Sequence, residues 1–202
     1  MRVGRKAAGL FVELAELHSE SLGRGMNKLR KVITNTLNNV KVVQAIPLDY
    51  EVQIYDSSVL ITETNIDGII TYTNRRFANV SGFKKEELIG APHNIVRHPV
   101  MPRGVFKAMW KIISSKKIWR GYIKHLCKDG SFFWTLSYIQ AKVDKDNVII
   151  GYTSSSKIAY KNTREEVESK YRALRKDIDD KYFMASESYY ETQIALRTKM
   201  NE

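Results

Sequence analysis

The residues VLITETNIDGIITYTNRRFANVSGF, 59–83, decide the fold. Two runs rich in Ile, Thr and Val flank Asp67-Gly68, a strong short-range hairpin signal. The pattern changes after Asn74. Residues 75–90 read as short helices with turns, interrupted at Ser81-Gly82. A hairpin followed by several short helices points away from a parallel sheet with long crossover helices.

Downstream, GVFKAMWKIISS (104–115) spaces Val105, Met109 and Ile112, and also Phe106, Trp110 and Ile113, so that a helix carries one broad apolar face. Three strands follow. WRGYIKHLC (119–127) and SFFWTLSYIQAKV (131–143) are joined by Lys128-Asp129-Gly130, and NVIIGYTSSSK (147–157) comes after a turn over Asp144–Asn147. The order β-β, short helices, β-β-β predicts an α+β domain, a five-stranded antiparallel sheet with helices on one face. Strand alternation puts Trp119, Gly121, Ile123, His125 and Cys127 on one side and Arg120 and Lys124 on the other. The His125 side is therefore the expected interior. On the next strand Trp134, Leu136 and Tyr138 share one side, and Phe133, Ile139 and Ala141 the other. An apolar outer face expects cover from the N-terminal helices or from a partner.

Upstream, apolar spacing predicts helices over 7–22 (Leu10, Leu14, Leu17) and 26–45 (Met26, Leu29, Ile33, Leu37, Val40), closed by Pro47. Residues 160–200 read as one long helix. Its seam of Val167, Tyr171, Leu174, Ile178, Tyr182, Ala185 and Tyr189 suits a coiled coil or a partner, with folding back on its own domain as the other reading. The chain divides accordingly into a helical extension (1–46), a central domain (47–157) and a C-terminal helix (158–202).

The net charge is +11, which makes nucleic acid a suspect. Its distribution argues against that partner. Residues 1–50, 51–156 and 157–202 carry +4, +6 and +1, with no dense basic tail and no DNA-reading motif. No apolar run approaches a membrane span, and Glu13 and Glu16 interrupt the N-terminal apolar stretch, so neither a transmembrane helix nor a signal peptide is expected. The single cysteine, Cys127, fits a reducing compartment, and a cytoplasmic location is expected. No nucleophile–base set, phosphate loop or HExxH pair suggests an enzyme, and no metal site is expected.

One loop stands apart. PHNIVRHPVMP (92–102) holds His93, Arg97, His98 and three prolines, which force an irregular, pre-set path. Composition alone leaves a metal, an anion, a cofactor or nothing as what it faces.

Three motifs together carry a resemblance. DGIITYTNRRFANVSGF, ELIGAPHNIVRHPVMP and FKAMWKIISSKKIWRGYIKHLCKDGSFFW follow one another as in a PAS domain, and Thr64–Trp134 resembles the flavin-binding PAS sensor of Aer-type aerotaxis receptors. The resemblance implies a PAS fold, an FAD cofactor, and contacts to it from Asn74, Arg97, His98, Phe106, Trp110 and Trp119. Phe106, Trp110 and Trp119 would supply ring walls, and Arg97 a rigid fork for phosphate or ring oxygens. This chain departs from the family's pattern twice, with Val100 where the family has Asp and His125 where it has Asn. His125 is expected to replace the amide as a hydrogen-bond partner of the ring, with its protonation responding to the ring's charge. A retuned flavin site, a different ligand, or a cofactor-free scaffold acting through dimerisation remain as readings. Haem is a further one, with His93, His98 or His125 as axial ligand. Beside these stand plainer expectations: Trp110 and Trp119 as core, His93 bonded to backbone, and Cys127 as a small buried hydrophobe. The resemblance also implies a soluble, redox-sensing module for energy taxis. It would pass its signal to a separate membrane chemoreceptor through the C-terminal helix, as a homodimer or hetero-oligomer.

Overall fold

The computed structural model describes residues 31–54 and 58–175. The expected helix over 7–22 and the seam beyond 175 lie outside the described residues. From Val32 onward the described residues belong to one compact unit.

Its centre is a five-stranded antiparallel sheet built from β3 (Leu60–Thr64), β4 (Ile70–Thr73), β5 (Trp119–Leu126), β6 (Phe132–Val143) and β7 (Ile149–Ile158), in the order β4-β3-β7-β6-β5. The predicted α+β architecture is therefore the observed one. Each hairpin turns on the same device, a short polar side chain that satisfies the amides of its own loop. Asn65 Oδ1 accepts from the amides of Asp67 and Ile69 at 3.0 and 2.9 Å. Asp129 Oδ1 accepts from the Ser131 amide at 2.9 Å, and Asp144 Oδ1 from those of Asp146 and Val148 at 2.9 and 2.8 Å. Gly130 is required on two counts. Its φ is +91°, and a Cβ there would stand 2.4 Å from the Ile46 carbonyl oxygen.

Between β4 and β5 lie α1 (Arg75–Ser81), α2 (Lys85–Leu88), a 3-10 turn (His93–Val96) and α3 (Arg103–Ser114). Asn74 starts α1 by accepting from the Phe77 amide, and Gly82 ends it at φ +74°. Two apolar clusters form. Phe77, Val80, Leu88, Ile95 and Phe133 make one, and Met101, Met109, Ile113, Ile123 and Trp134 belong to the other. Burial of each such large side chain contributes about 1.5–3 kcal/mol.

The expected helix over 26–45 is not formed in its described part. Residues 32–43 are instead a two-stranded hairpin, β1 (Val32–Thr34) paired with β2 (Lys41–Val43). The helical spacing of Ile33, Leu37 and Val40 loses to local chemistry. Val32, Ile33, Thr34, Val42 and Val43 are β-branched, and Asn35 closes the turn by accepting from the amides of Leu37 and Asn38 at 2.9 and 3.3 Å. Asn39 takes the left-handed conformation that Asn tolerates, with φ 58°. The hairpin supports the rest of the domain. Asn35 Nδ2 donates to the Ile89 carbonyl at 2.7 Å, and Gln44 Nε2 to those of Asn94 and Ile95 at 2.9 and 3.0 Å.

The last element, α4 (Lys161–Arg175), folds back on its own domain and packs on the outer face of the sheet. Tyr171 donates to the Tyr122 carbonyl at 2.9 Å and stacks on Trp134, with ring centroids 6.3 Å apart. Arg164, only 3% exposed, binds both carboxylate oxygens of Glu51 at 2.5 Å and lies 5.5 Å over the Trp134 ring. Over its described length, then, Tyr171 of the expected seam is used within the domain. Leu174 is exposed.

Candidate functional site

A cavity of about 260 Å³ lies between the sheet and the helical layer, where the two apolar clusters meet. Its walls are apolar: Phe77, Phe106, Met109, Trp110, Ile113, Ile123, Ile139 and Tyr152. Polar groups enter from the sheet floor (Thr62, Thr64, His125, Ser154, Ser156) and from the proline loop (His93, Asn94, Arg97). Asp67, Asn94 and Trp110 are the most exposed lining residues, so they mark the mouth. Apolar walls with a few convergent polar atoms are the usual make-up of a small-molecule site.

Register explains how these residues meet. Cross-strand partners share a face. Thr62 faces Ser154, Thr64 faces Tyr152, Leu60 faces Ser156, and Ile123 faces Thr135, all toward the helices. Hydroxyls thus occupy inward positions that sheets normally give to aliphatic residues.

The structure brings four of the seven expected site residues to the cavity: Arg97, Phe106, Trp110 and His125. The Arg97 guanidinium lies 4.4 Å over the Phe106 ring and donates to the Met101 carbonyl at 3.0 Å. Trp110 meets Tyr152 edge to face at 5.1 Å. His125 stacks on Phe133 at 4.8 Å, and its Nε2 is 2.9 Å from Thr135 Oγ1.

The other three do different work. Asn74 is a helix cap. Its Oδ1 accepts from the amides of Phe77 and Ile61, and its Nδ2 donates to the Val59 carbonyl at 2.8 Å. His98 is fully buried and turned away from the cavity. Its Nδ1 accepts from the Val100 amide at 3.3 Å, and its ring meets Phe132 edge-on at 5.9 Å. Val100, the position where a carboxylate was expected by resemblance, is itself buried. Trp119 is core. It packs with Met109 and Ile113, and its indole folds over Gly121, where a Cβ would stand 2.3 Å from the ring. Prolines fix the path of the loop, but not which of its two histidines turns inward.

His93 is that histidine. Its Nε2 is 2.9 Å from Thr62 Oγ1, and the ring also has the expected backbone hydrogen bond, to its own residue. Both cavity histidines touch Phe77, at 6.1 Å each. Burial holds the His93 pKa down to about 4. Burial, with the neighbouring His93 as a lesser cause, holds that of His125 down to about 3. Both rings are therefore neutral at physiological pH.

Thr64 and its neighbours were not singled out by sequence reasoning. Thr64 Oγ1 is buried on the cavity wall with no hydrogen-bond partner among the described residues. The signal was present in the alternation that turns Leu60, Thr62 and Thr64 and Tyr152, Ser154 and Ser156 inward, all but Leu60 with a hydroxyl. Cys127 behaves as expected. It is buried at the end of β5, off the cavity, and burial pushes its thiol up to about 12. Among the described residues no group of three or more His, Cys, Asp or Glu can hold a metal ion, and no helix is long and apolar enough to cross a membrane.

The residues present fit a flat heteroaromatic ring. The walls are aromatic and aliphatic, an orphaned hydroxyl and an imidazole stand at the floor, and one guanidinium lies against the wall. The volume, near the low end of the roughly 300–1,000 Å³ of ligand pockets, suits a ring system with any longer tail leaving through the mouth.

Comparisons with known proteins agree with the architecture. Residues 70–156 match the family described as the PAS fold. The aerotaxis receptor of Escherichia coli (strain K12) is 35% identical over 119 residues, covering 59% of this chain and 23% of the receptor. The nitrogen fixation regulatory protein of Klebsiella pneumoniae is 26% identical over 77 residues, covering 38% of this chain and 16% of that protein. The chain thus spans less than a quarter of the length of the curated relatives it matches. Among solved structures, the light state of the blue-light photoreceptor Aureochrome1 LOV superposes with a TM-score of 0.51 at 16% identity, covering 55% of this chain and 89% of that one. That likeness shows the fold.

Proposed function

Taking as premise that residues 70–156 are a PAS domain related to those of signalling proteins, we propose that the chain is a redox-sensing module that binds FAD and takes part in energy taxis. The observation that supports this most is the cavity itself: an apolar slot with Arg97 on its wall and His125 on its floor, in the region 35% identical to an aerotaxis receptor.

Phe106, Trp110 and Tyr152 would form the walls around the ring. Thr64 Oγ1 and the His125 ring would meet its polar edge, and Arg97 would serve the oxygens near the mouth. When bound, the flavin supplies the electron chemistry. The protein's part is to desolvate the ring, orient it, and read its hydrogen-bonding pattern. The chain is read as a non-enzymatic, cytoplasmic sensor. Its output would pass to a membrane chemoreceptor or another signalling protein through the flanking helices, in a homodimer or hetero-oligomer. Tyr171 bonds to Tyr122 of β5 and Arg164 lies over Trp134 of β6, which gives that route a physical start.

The test is the visible spectrum of purified chain after incubation with FAD. The two-band spectrum of a protein-bound oxidised flavin, with quenched fluorescence, is expected. A colourless protein after gel filtration would remove the flavin reading and leave the cofactor-free scaffold, whereas a single intense Soret band would replace it with haem. Haem draws less support here, because Nε2 of both cavity histidines is engaged by a hydroxyl.

A further inference from the structure

The floor of the cavity carries an unbroken row of buried hydrogen bonds across three strands. It runs from His125 Nε2 to Thr135 Oγ1 (2.9 Å), to Ser137 Oγ (2.8 Å), to Ser156 Oγ (2.8 Å) and to Ser154 Oγ (3.2 Å). Thr135 and Ser137 are wholly buried, so no solvent competes along the middle of the row.

A hydroxyl has one proton to give. Ser156 donates to Ser137. The Ser137 proton is then available to Thr135, and the Thr135 proton to His125 Nε2, the arrangement in which each hydroxyl of the row both donates and accepts along it. An imidazole that accepts at Nε2 and is neutral carries its proton at Nδ1. The ring cannot turn to evade this, being stacked on Phe133 with Phe77 at its edge. Among the described residues the ring's hydrogen bond is made at Nε2, and His125 lines the cavity, which leaves Nδ1 for a ligand.

We propose that this hydroxyl row sets the tautomer of His125, so that its Nδ1–H is a hydrogen-bond donor reserved for the ligand, and the cavity selects a heteroaromatic ligand that presents an acceptor at that point. The proposal deepens the flavin reading by naming what the floor of the site recognises, and its general form holds for any ring with an acceptor there. Ser137 and Thr135 act as positioning residues at one and two removes from the ligand. Low dielectric makes the selection sharp, because a ligand with a donor at that point would leave two buried donors opposed. A ligand atom that became a donor by gaining a proton could take it from Nδ1, while each hydroxyl of the row passes its proton one place toward Nε2 and Ser154, half-buried at the far end, takes one up from solvent.

The experiment is two-bond ¹⁵N–¹H correlation of the histidine rings in the labelled full chain, with His125→Gln and His93→Gln for assignment, followed by FAD titration. The wild type should show His125 as the Nδ1–H tautomer. Ser137→Ala should shift it to a mixture or to Nε2–H, and should weaken FAD binding by about tenfold, the scale of one lost buried hydrogen bond. If Ser137→Ala does not fold, Ser156→Ala breaks the row one hydroxyl further on and carries the same expectation. An Nε2–H tautomer in the wild type, or a tautomer indifferent to both substitutions, overturns the proposal even if FAD binds. An Nδ1–H tautomer that depends on the row, in a protein that takes no FAD, leaves the proposal standing and removes the flavin reading.

Discussion

The two faces of the one sheet depart from the usual rule in opposite ways. An antiparallel sheet with one solvated face normally turns aliphatic side chains inward and polar ones out. Here the inward face carries Thr62, Thr64, His125, Thr135, Ser137, Ser154 and Ser156 across four strands. The outward face carries Tyr122, Trp134, Leu136 and Tyr138, partly roofed by α4. A hydroxyl-rich interior is poor design for a core and good design for a site, because each buried polar atom must find a partner and several here are spare or shared. An aromatic exterior is poor design for a surface and good design for a face that another element covers. The contrast teaches where to look for ligand and where for output.

The contrast can be broken from the outer side first. Glu51→Ala should cost about 3 kcal/mol in chemical denaturation, since it strips Arg164 of its bidentate partner while the guanidinium stays buried. A loss below about 1 kcal/mol, the worth of a surface pair, would mean that α4 is not held in this way.

Acid tests the inner side. His93 and His125 have pKa values of about 4 and 3 in the folded chain, below the ordinary value of 6.5. Between those limits the unfolded chain binds more protons than the folded one, so stability is full above about pH 6.5 and falls as pH drops toward 4. The two rings together should cost a few kcal/mol by pH 4, because each ring that only the unfolded chain protonates costs about 1.4 kcal/mol per pH unit crossed. His125→Gln should flatten the urea-midpoint profile over that window. An unchanged profile would mean that His125 is not held neutral.

Smaller and opposite in sign is Thr64→Val. Its hydroxyl is buried without a partner among the described residues, so removal should raise the stability of the ligand-free chain by about 1 kcal/mol while weakening FAD binding. Stability and binding that fell together would indicate a structural role instead. Smallest is Tyr171→Phe, which deletes one hydrogen bond to the Tyr122 carbonyl but keeps the stack on Trp134, for about 0.5–1 kcal/mol by the same denaturation.

The inner and outer faces were legible as patterns in the sequence. Alternation sorted Ile123 and His125 from Arg120 and Lys124, and Phe133 from Trp134, as the register has them. What alternation cannot say is which inward side chains meet a space and which meet each other. Trp119 points inward, yet Met109 and Ile113 fill its surroundings. The 92–102 loop was recognisable as a fixed element, but no regular period sorts its two histidines, and His93 rather than His98 reaches the cavity. In its described part the helix expected over 26–45 gave way for a local reason. Its apolar stripe crosses β-branched residues around Asn35, Asn38 and Asn39, whose side chains and backbone preferences make a turn.

The Arg164–Glu51 contact has a mechanical meaning as well. Glu51 lies where the chain runs up to the sheet, its neighbour Val52 donating to the Phe132 carbonyl at 2.8 Å, and Arg164 lies where the chain leaves it. The pair is a buckle across the entrance and the exit. A pull or twist on α4 loads this buckle and the Tyr171 tether before it reaches the five-stranded sheet, and is felt there first at β5 and β6, the strands that carry His125 and Thr135.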